Sequence, residues 1–231
     1  MMKTLFLISF ALSALAADGT ITAQYASKDP GFDLDPTSAF WAKAEVGRFS
    51  KGPRGEEHDP QRPTEVRVKW TKQNLWVLYV SPYEKMYVTP NPQTSKDTNK
   101  LWDYDVVELF IGSDFDNIQR YKEFEVSPQN EWVDLDIHRD DKTWDSAKAL
   151  GWNSGFQSAV RVDKDKKIWY CVMRVPWKSI TKEKLDKGSK FRVNFYRIED
   201  GPENRKYFAW REVGSRSYHT PEKFGLLELV K

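Results

Sequence analysis

Leu101–Ile137 reads LWDYDVVELFIGSDFDNIQRYKEFEVSPQNEWVDLDI, and its pattern decides the class of fold. Tyr104–Gly112, Arg120–Ser127 and Glu131–Ile137 each carry the two-residue period of a strand, separated by the polar loop Ser113–Gln119 and the turn Pro128-Gln129-Asn130. In the first run Asp105, Val107, Leu109 and Ile111 share one face, while Val106, Glu108 and Phe110 share the other. Glu108 thus stands between two core-type side chains, where a carboxylate has to find donors or neutralise. It is either a structural hydrogen-bond hub or the polar floor of a binding site. Trp102, just ahead of the strand, is either a plug closing one end of the fold or a flat apolar face for a ligand.

The same alternation recurs on both sides of this stretch, at Thr20–Ala26, Thr64–Trp70, Leu75–Ser81, Phe156–Val162, Ile168–Val175, Lys190–Glu199, Tyr207–Trp210 and Gly225–Val230. Helical periodicity is confined to Pro36–Ala44 and to one turn at Pro176–Ile180, where proline suits a first helical position. Arg48–Pro63 and Pro82–Lys100 are long polar loops rich in turn residues. The predicted architecture is all-β: an antiparallel two-sheet β-sandwich of jelly-roll type, with long loops and one or two short helices. Nothing in the chain reads as an interdomain linker, so residues 17–231 are expected to form a single domain whose loops build the site.

Residues 1–16 have the three regions of a signal peptide: Lys3, the apolar run Leu5–Leu15, and small residues before Ala17. No cysteine follows that run to take a lipid, and no later stretch offers the roughly 20 apolar residues of a membrane helix. A secreted or periplasmic protein without membrane insertion is expected. The single cysteine, Cys171, lies in the apolar strand IWYCVMRV and reads as a buried thiol. With 36 basic and 34 acidic residues interspersed, charge gives no case for nucleic acid. Ten Trp, ten Tyr and thirteen Phe exceed what a core of this size needs, and point to a surface that stacks on something.

His58, His138 and His219 show no metal-ligand spacing, and no nucleophile elbow is present. Acid pairs for glycoside hydrolysis can be drawn from Glu108, Glu123, Glu125, Asp134 and Asp136, but 34 acids make such pairs easy to find. A sugar site needs a flat aromatic for the C–H face and polar groups for the hydroxyls. Trp102 and Glu108 begin such a set, and the loop Arg216–Gly225 adds Tyr218 and His219 at a tip before a proline-marked turn.

The ordered set Trp102-x-x-Asp105-x-x-Glu108-Leu109-Phe110-Ile111, Tyr121–Val126, Pro176–Ile180 and Pro221-Glu222-Lys223-Phe224-Gly225 resembles the family-9 carbohydrate-binding modules, as does the opening Phe32-Asp33-Leu34-Asp35 with Phe40-Trp41. The resemblance covers nearly all of the chain after its leader. It implies a jelly-roll-like sandwich of the DOMON-like superfamily that clamps a sugar, often at a chain end, between two aromatics. Trp102 matches the first aromatic. The second, usually tryptophan, is here Tyr218, a smaller face. Glu108 matches the acid that bonds sugar hydroxyls. Glu125 stands at the position of the family's strand arginine, with Ser127 nearby in place of an amide, and Asn194 adds a further polar contact. The resemblance also leaves room for structural calcium, for which Asp33 and Asp35 could serve, and requires no other cofactor.

The function expected is that of a secreted, non-catalytic carbohydrate-binding protein, taking an oligosaccharide or polysaccharide and supporting its capture or breakdown beside a separate glycoside hydrolase. Two alternatives belong to other classes. One is a haem-binding redox module, with Met86 and a lysine or histidine as axial ligands. The other is a glycan hydrolase using Glu108 and a second acid.

Overall fold

The structure, a computed structural model, describes residues 19–231, so the leader expected at residues 1–16 lies outside the described residues. Twelve strands carry it: β1 (Thr20–Tyr25), β2 (Val46–Phe49), β3 (Thr64–Trp70), β4 (Asn74–Pro82), β5 (Val106–Gly112), β6 (Arg120–Val126), β7 (Trp132–His138), β8 (Gln157–Asp163), β9 (Ile168–Pro176), β10 (Lys190–Glu199), β11 (Lys206–Ala209) and β12 (Gly225–Val230). Two four-residue helices, α1 (Ser146–Ala149) and α2 (Trp177–Ile180), and two 3-10 turns complete the regular structure.

The all-β class and its scarcity of helix agree with the pattern of the sequence, but the two-sheet arrangement does not. The strands form one hydrogen-bonded path, β7-β6-β5-β10-β12-β1-β3-β4-β9-β8, with β11 on β10 and β2 on β3. β1 is paired on both sides, in parallel with β12 and with β3, so it joins what would otherwise be two sheets. Every other ladder is antiparallel. At the far ends the path nearly meets itself. Ser158 Oγ of β8 donates to Asn130 Oδ1 before β7 at 2.9 Å, and the Trp132 and Phe156 rings lie 5.7 Å apart. The molecule is a curled sheet close to a barrel, the shape a right-twisted sheet of this size takes to cover its own apolar face.

The expected helix at Pro36–Ala44 is instead a run of turns. Asp33 and Asp35 hold it with their side chains: Asp33 Oδ1 accepts the Asp35 N–H at 3.0 Å and Asp35 Oδ1 accepts the Thr37 N–H at 2.9 Å. Trp41 at its end is fully buried, against Trp76 and Leu78 on the outside of β4.

Alternation sorts β5 and β6 into two environments. Val107, Leu109 and Ile111 of β5, with Phe124 and Val126 of β6, point into the curl and meet Val66, Val77, Tyr79, Cys171 and Met173 from the opposite limb. Burial pushes the Cys171 thiol pKa upward, leaving it protonated and inert. Val106 and Phe110 point the other way, into a second cluster with Tyr121, Leu135, Ile137, Tyr196 and Tyr218. This outer cluster is roofed by loops, and the candidate site lies within it.

Candidate functional site

Register builds the site before any loop arrives. Across β10, β5, β6 and β7 one row on the outer face runs Tyr196, Glu108, Glu125, Val133; the next runs Asn194, Phe110, Glu123, Leu135. Residues directly opposite in an antiparallel pair sit about 5 Å apart, so three glutamates of two adjacent strands converge. One oxygen from each of Glu108, Glu123 and Glu125 falls within 4.8 Å of the other two. All three side chains are buried, Glu125 completely.

Above them opens a pocket of about 900 Å³. Its aromatic walls come from Tyr87, Trp102, Tyr104, Phe110, Trp144, Tyr207 and Tyr218; Arg205, Arg216 and His219 stand beside them. Trp102 is presented by a 3-10 turn, Leu101–Asp103, opened by the left-handed Lys100 (φ 59) and anchored by the buried Leu101. Arg205 staples that turn, donating to the carbonyls of Trp102 and Asp103. Tyr104 stacks on Tyr87 at 5.3 Å, and the indole N–H of Trp144 is tied to the Asp136 carbonyl at 2.8 Å.

The six residues singled out from the sequence divide. Trp102, Glu108, Glu125 and Tyr218 line the pocket; Ser127 and Asn194 do not. Ser127 Oγ donates to Glu131 Oε2 at 3.1 Å and caps the turn between β6 and β7, so it is spent on the chain. Asn194 is fully buried, its amide donating to Tyr196 Oη and the Arg211 carbonyl and accepting from the Phe195 and Arg211 N–H groups. Nor is Tyr218 on an exposed tip. Its ring stacks on Tyr196 at 3.9 Å and its hydroxyl donates to the Arg197 carbonyl at 2.9 Å, leaving it 7% exposed. One face is therefore covered by protein, and it serves the pocket as a fixed wall.

Arg205 and Tyr207 line the pocket without being singled out by the sequence, and Glu123 and His219, which the sequence offers only as a candidate acid and a loop-tip residue, join them. Glu123 had a signal, since it lies two residues from Glu125 on the same strand face. His219 Nδ1 shares a hydrogen bond with Tyr121 Oη at 2.7 Å and lies 4.0 Å from Glu123 Oε2. Met86, a candidate haem ligand, packs against the inner core and does not line the pocket.

The electrostatics of the floor are unusual. Glu108 Oε1, Glu123 Oε2 and both oxygens of Glu125 are buried and receive no donor from elsewhere in the described chain. Burial first, and the neighbouring carboxylates second, push the pKa values of Glu108 and Glu125 well upward, with Arg205 only partly offsetting this at Glu108. Such a floor accepts hydrogen bonds from hydroxyls, donates one where it holds a proton, or takes a cation. The three acids rise from one sheet face and reach a ligand from one side, whereas hydrolytic pairs flank the bond they cleave.

The family described as carbohydrate family 9 binding domain-like matches residues 35–231. A protein of Arthroderma benhamiae named "Extracellular protein" is 24% identical over 196 residues, which cover 80% of this chain and 86% of that one. Among solved structures, a carbohydrate binding module family 9 from Caldicellulosiruptor kristjanssonii, in complex with cellotriose, is 15% identical with a TM-score of 0.62, covering 91% of this chain and 93% of its own. A Bacteroides uniformis structure is likewise 15% identical, with a TM-score of 0.68 over 91% of this chain and 98% of that one. The structural likenesses carry the fold, and the family match spans every strand from β2 to β12. This chain belongs to the carbohydrate family 9 binding domain-like family.

Proposed function

We propose that the chain is a non-catalytic carbohydrate-binding protein, exported from the cell, whose ligand is a sugar or the end of a glycan chain seated in the Trp102 pocket. The observation that carries the reading is the combination of partly exposed aromatic walls with a floor of hydroxyl-matching carboxylates in one cavity. A pyranose C–H face stacks on Trp102, and Tyr207, 40% exposed, lines the same pocket. Glu108 and Glu125 meet the hydroxyls, and Tyr218 closes the wall behind them. The membership in a carbohydrate-binding family supports this, as does the sugar in the solved Caldicellulosiruptor complex. Export is supported by the leader-like residues 1–16 and by the name of the Arthroderma relative. No helix among the described residues is long and apolar enough to cross a membrane. Action beside a separate glycoside hydrolase fits a module that binds glycans without cleaving them.

Intrinsic fluorescence tests this. Titration with xylo-, cello- and manno-oligosaccharides and their monosaccharides is expected to give a saturable response for at least one class. Trp102→Ala should remove that response and leave the near-ultraviolet circular dichroism of the fold in place, because a few aromatic anchors dominate such sites. A folded protein that responds to no sugar refutes the reading.

A further inference from the structure

We infer that Glu108, Glu123 and Glu125 hold a divalent, oxygen-preferring cation of calcium size at the floor of the pocket, with its open side turned towards the ligand. The cation site stands on its own evidence. Its use as a bridge to sugar hydroxyls rests on the carbohydrate reading above.

Two independent observations lead here. The first is spacing: oxygens bound to one calcium ion at about 2.3–2.6 Å cannot be more than roughly 4.6–5.2 Å apart. One oxygen from each glutamate lies within 4.8 Å of the other two, so all three can share an ion with little movement. Among the described residues this is the only such group of three metal-capable side chains. The second is the state of those oxygens. Glu125 is fully buried with both oxygens lacking a donor from the rest of the chain, and Glu108 Oε1 and Glu123 Oε2 are in the same condition. Buried polar atoms in folded proteins are nearly always paired, so four such oxygens on three side chains that line one cavity point to a partner that is not part of the chain.

Charge decides what that partner is. Ionised to bind a cation, three carboxylates bring three negative charges, and the guanidinium whose field reaches Glu108 is that of Arg205, which hydrogen-bonds to the Trp102 and Asp103 carbonyls. A dication offsets more of the negative charge of this buried floor than a monovalent ammonium can, beside the partial offset from Arg205 and with His219 Nδ1 4.0 Å from Glu123 Oε2. Donor type agrees: an all-carboxylate set suits calcium, magnesium or manganese better than softer ions. Calcium takes six to eight oxygens, so three protein carboxylates leave room for water or for a pair of vicinal sugar hydroxyls. Asp33 and Asp35, the acids first suggested for calcium, are occupied in local turns and are exposed or half-exposed.

The test uses chelator-treated full chain titrated with CaCl₂ and, separately, MgCl₂, followed by thermal unfolding and by terbium luminescence excited through the pocket aromatics. A saturable calcium-dependent rise in Tm is expected, with terbium emission that calcium displaces. Glu125→Gln and Glu108→Gln should each lose both responses, while the double substitution Asp33→Asn with Asp35→Asn keeps them. Anomalous scattering from terbium-soaked crystals of the unaltered protein needs no variant, and is expected to place the ion between the three glutamates. An unaltered protein that responds to none of these ions, an ion found elsewhere, or a response that follows Asp33 and Asp35 overturns the proposal. Sugar titration with and without chelator separates the two readings. Ion binding with no sugar response upholds the cation and refutes the carbohydrate reading. Sugar binding that persists in chelator with no ion response does the reverse.

Discussion

The two faces of β5 and β6 are made from the same strands, yet they are built on opposite principles. Facing the curl, Val107, Leu109, Ile111, Phe124 and Val126 are apolar and close-packed, every one of them at 0% exposure. Facing outward, Glu108, Glu123 and Glu125 are almost as deeply buried, but they replace packing with unpaired carboxyl oxygens beneath a cavity. One face stabilises the fold, whereas the other draws on that stability to keep polar groups dehydrated beneath a cavity. Burial alone therefore does not identify the core. Here the buried carboxylates beneath the cavity are the ones whose oxygens the chain leaves without a donor.

The strongest test of that contrast is Phe124→Ala. Phe124 packs edge-on against Phe156 at 5.3 Å and near Trp152, with no solvent access. Truncation should cost about 3–5 kcal/mol, read as a lower urea midpoint. A loss below about 1 kcal/mol would mean that the inner face is not the close-packed one.

Strand positions and the facing of each side chain were legible because alternation fixes both locally: β3, β10 and β12 coincide with their expected bounds. β2 was not, since VGRF is four residues with a glycine at the edge of a proline-rich loop. The single curled sheet was also hidden, because it depends on β1 pairing with β12, about as far apart as the chain allows. No local period encodes such a contact. The same limit applies to the site. Trp102 and Glu108 announce themselves by a position before a strand and a carboxylate between apolar neighbours. Tyr207 and Arg205 reach the pocket only because β11 folds back on β10, pairing Ile198 with Tyr207. Tyr218 was placed in the right region with the wrong exposure, because its stacking partner Tyr196 lies on a different element.

Asp105 sharpens the comparison from its satisfied side. It is buried like the glutamates, yet its oxygens accept the Asp200 N–H at 2.7 Å and the Tyr87 N–H at 3.2 Å. Burial still wins, and its pKa is pushed up to about 7. The folded state therefore keeps a proton that the unfolded chain releases near pH 4, so between about pH 4 and pH 7 stability falls as pH rises. Above that window both states are ionised and the penalty is constant. Relative to Asp105→Asn, which has no such proton, the unaltered protein should lose on the order of 3 kcal/mol across the window. The asparagine exchanges one acceptor for a donor, a fixed offset that leaves the slope untouched. Equal slopes for the two proteins in urea unfolding at stepped pH would show that Asp105 is ionised throughout.

The smallest expected effect concerns the wall between the two regimes. Tyr218 lines the pocket while its hydroxyl is spent on the Arg197 carbonyl at 2.9 Å, so it belongs to the fold more than to the ligand. Tyr218→Phe removes one buried neutral hydrogen bond and keeps the stack on Tyr196 at 3.9 Å, which should cost about 1 kcal/mol. Sugar affinity should stay unchanged, because the hydroxyl is already held by the Arg197 carbonyl. A variant that keeps full stability but loses affinity would move Tyr218 across the boundary. Its hydroxyl would then have to leave Arg197 for the ligand, and the second aromatic of the clamp would be a tyrosine that swings outward on binding.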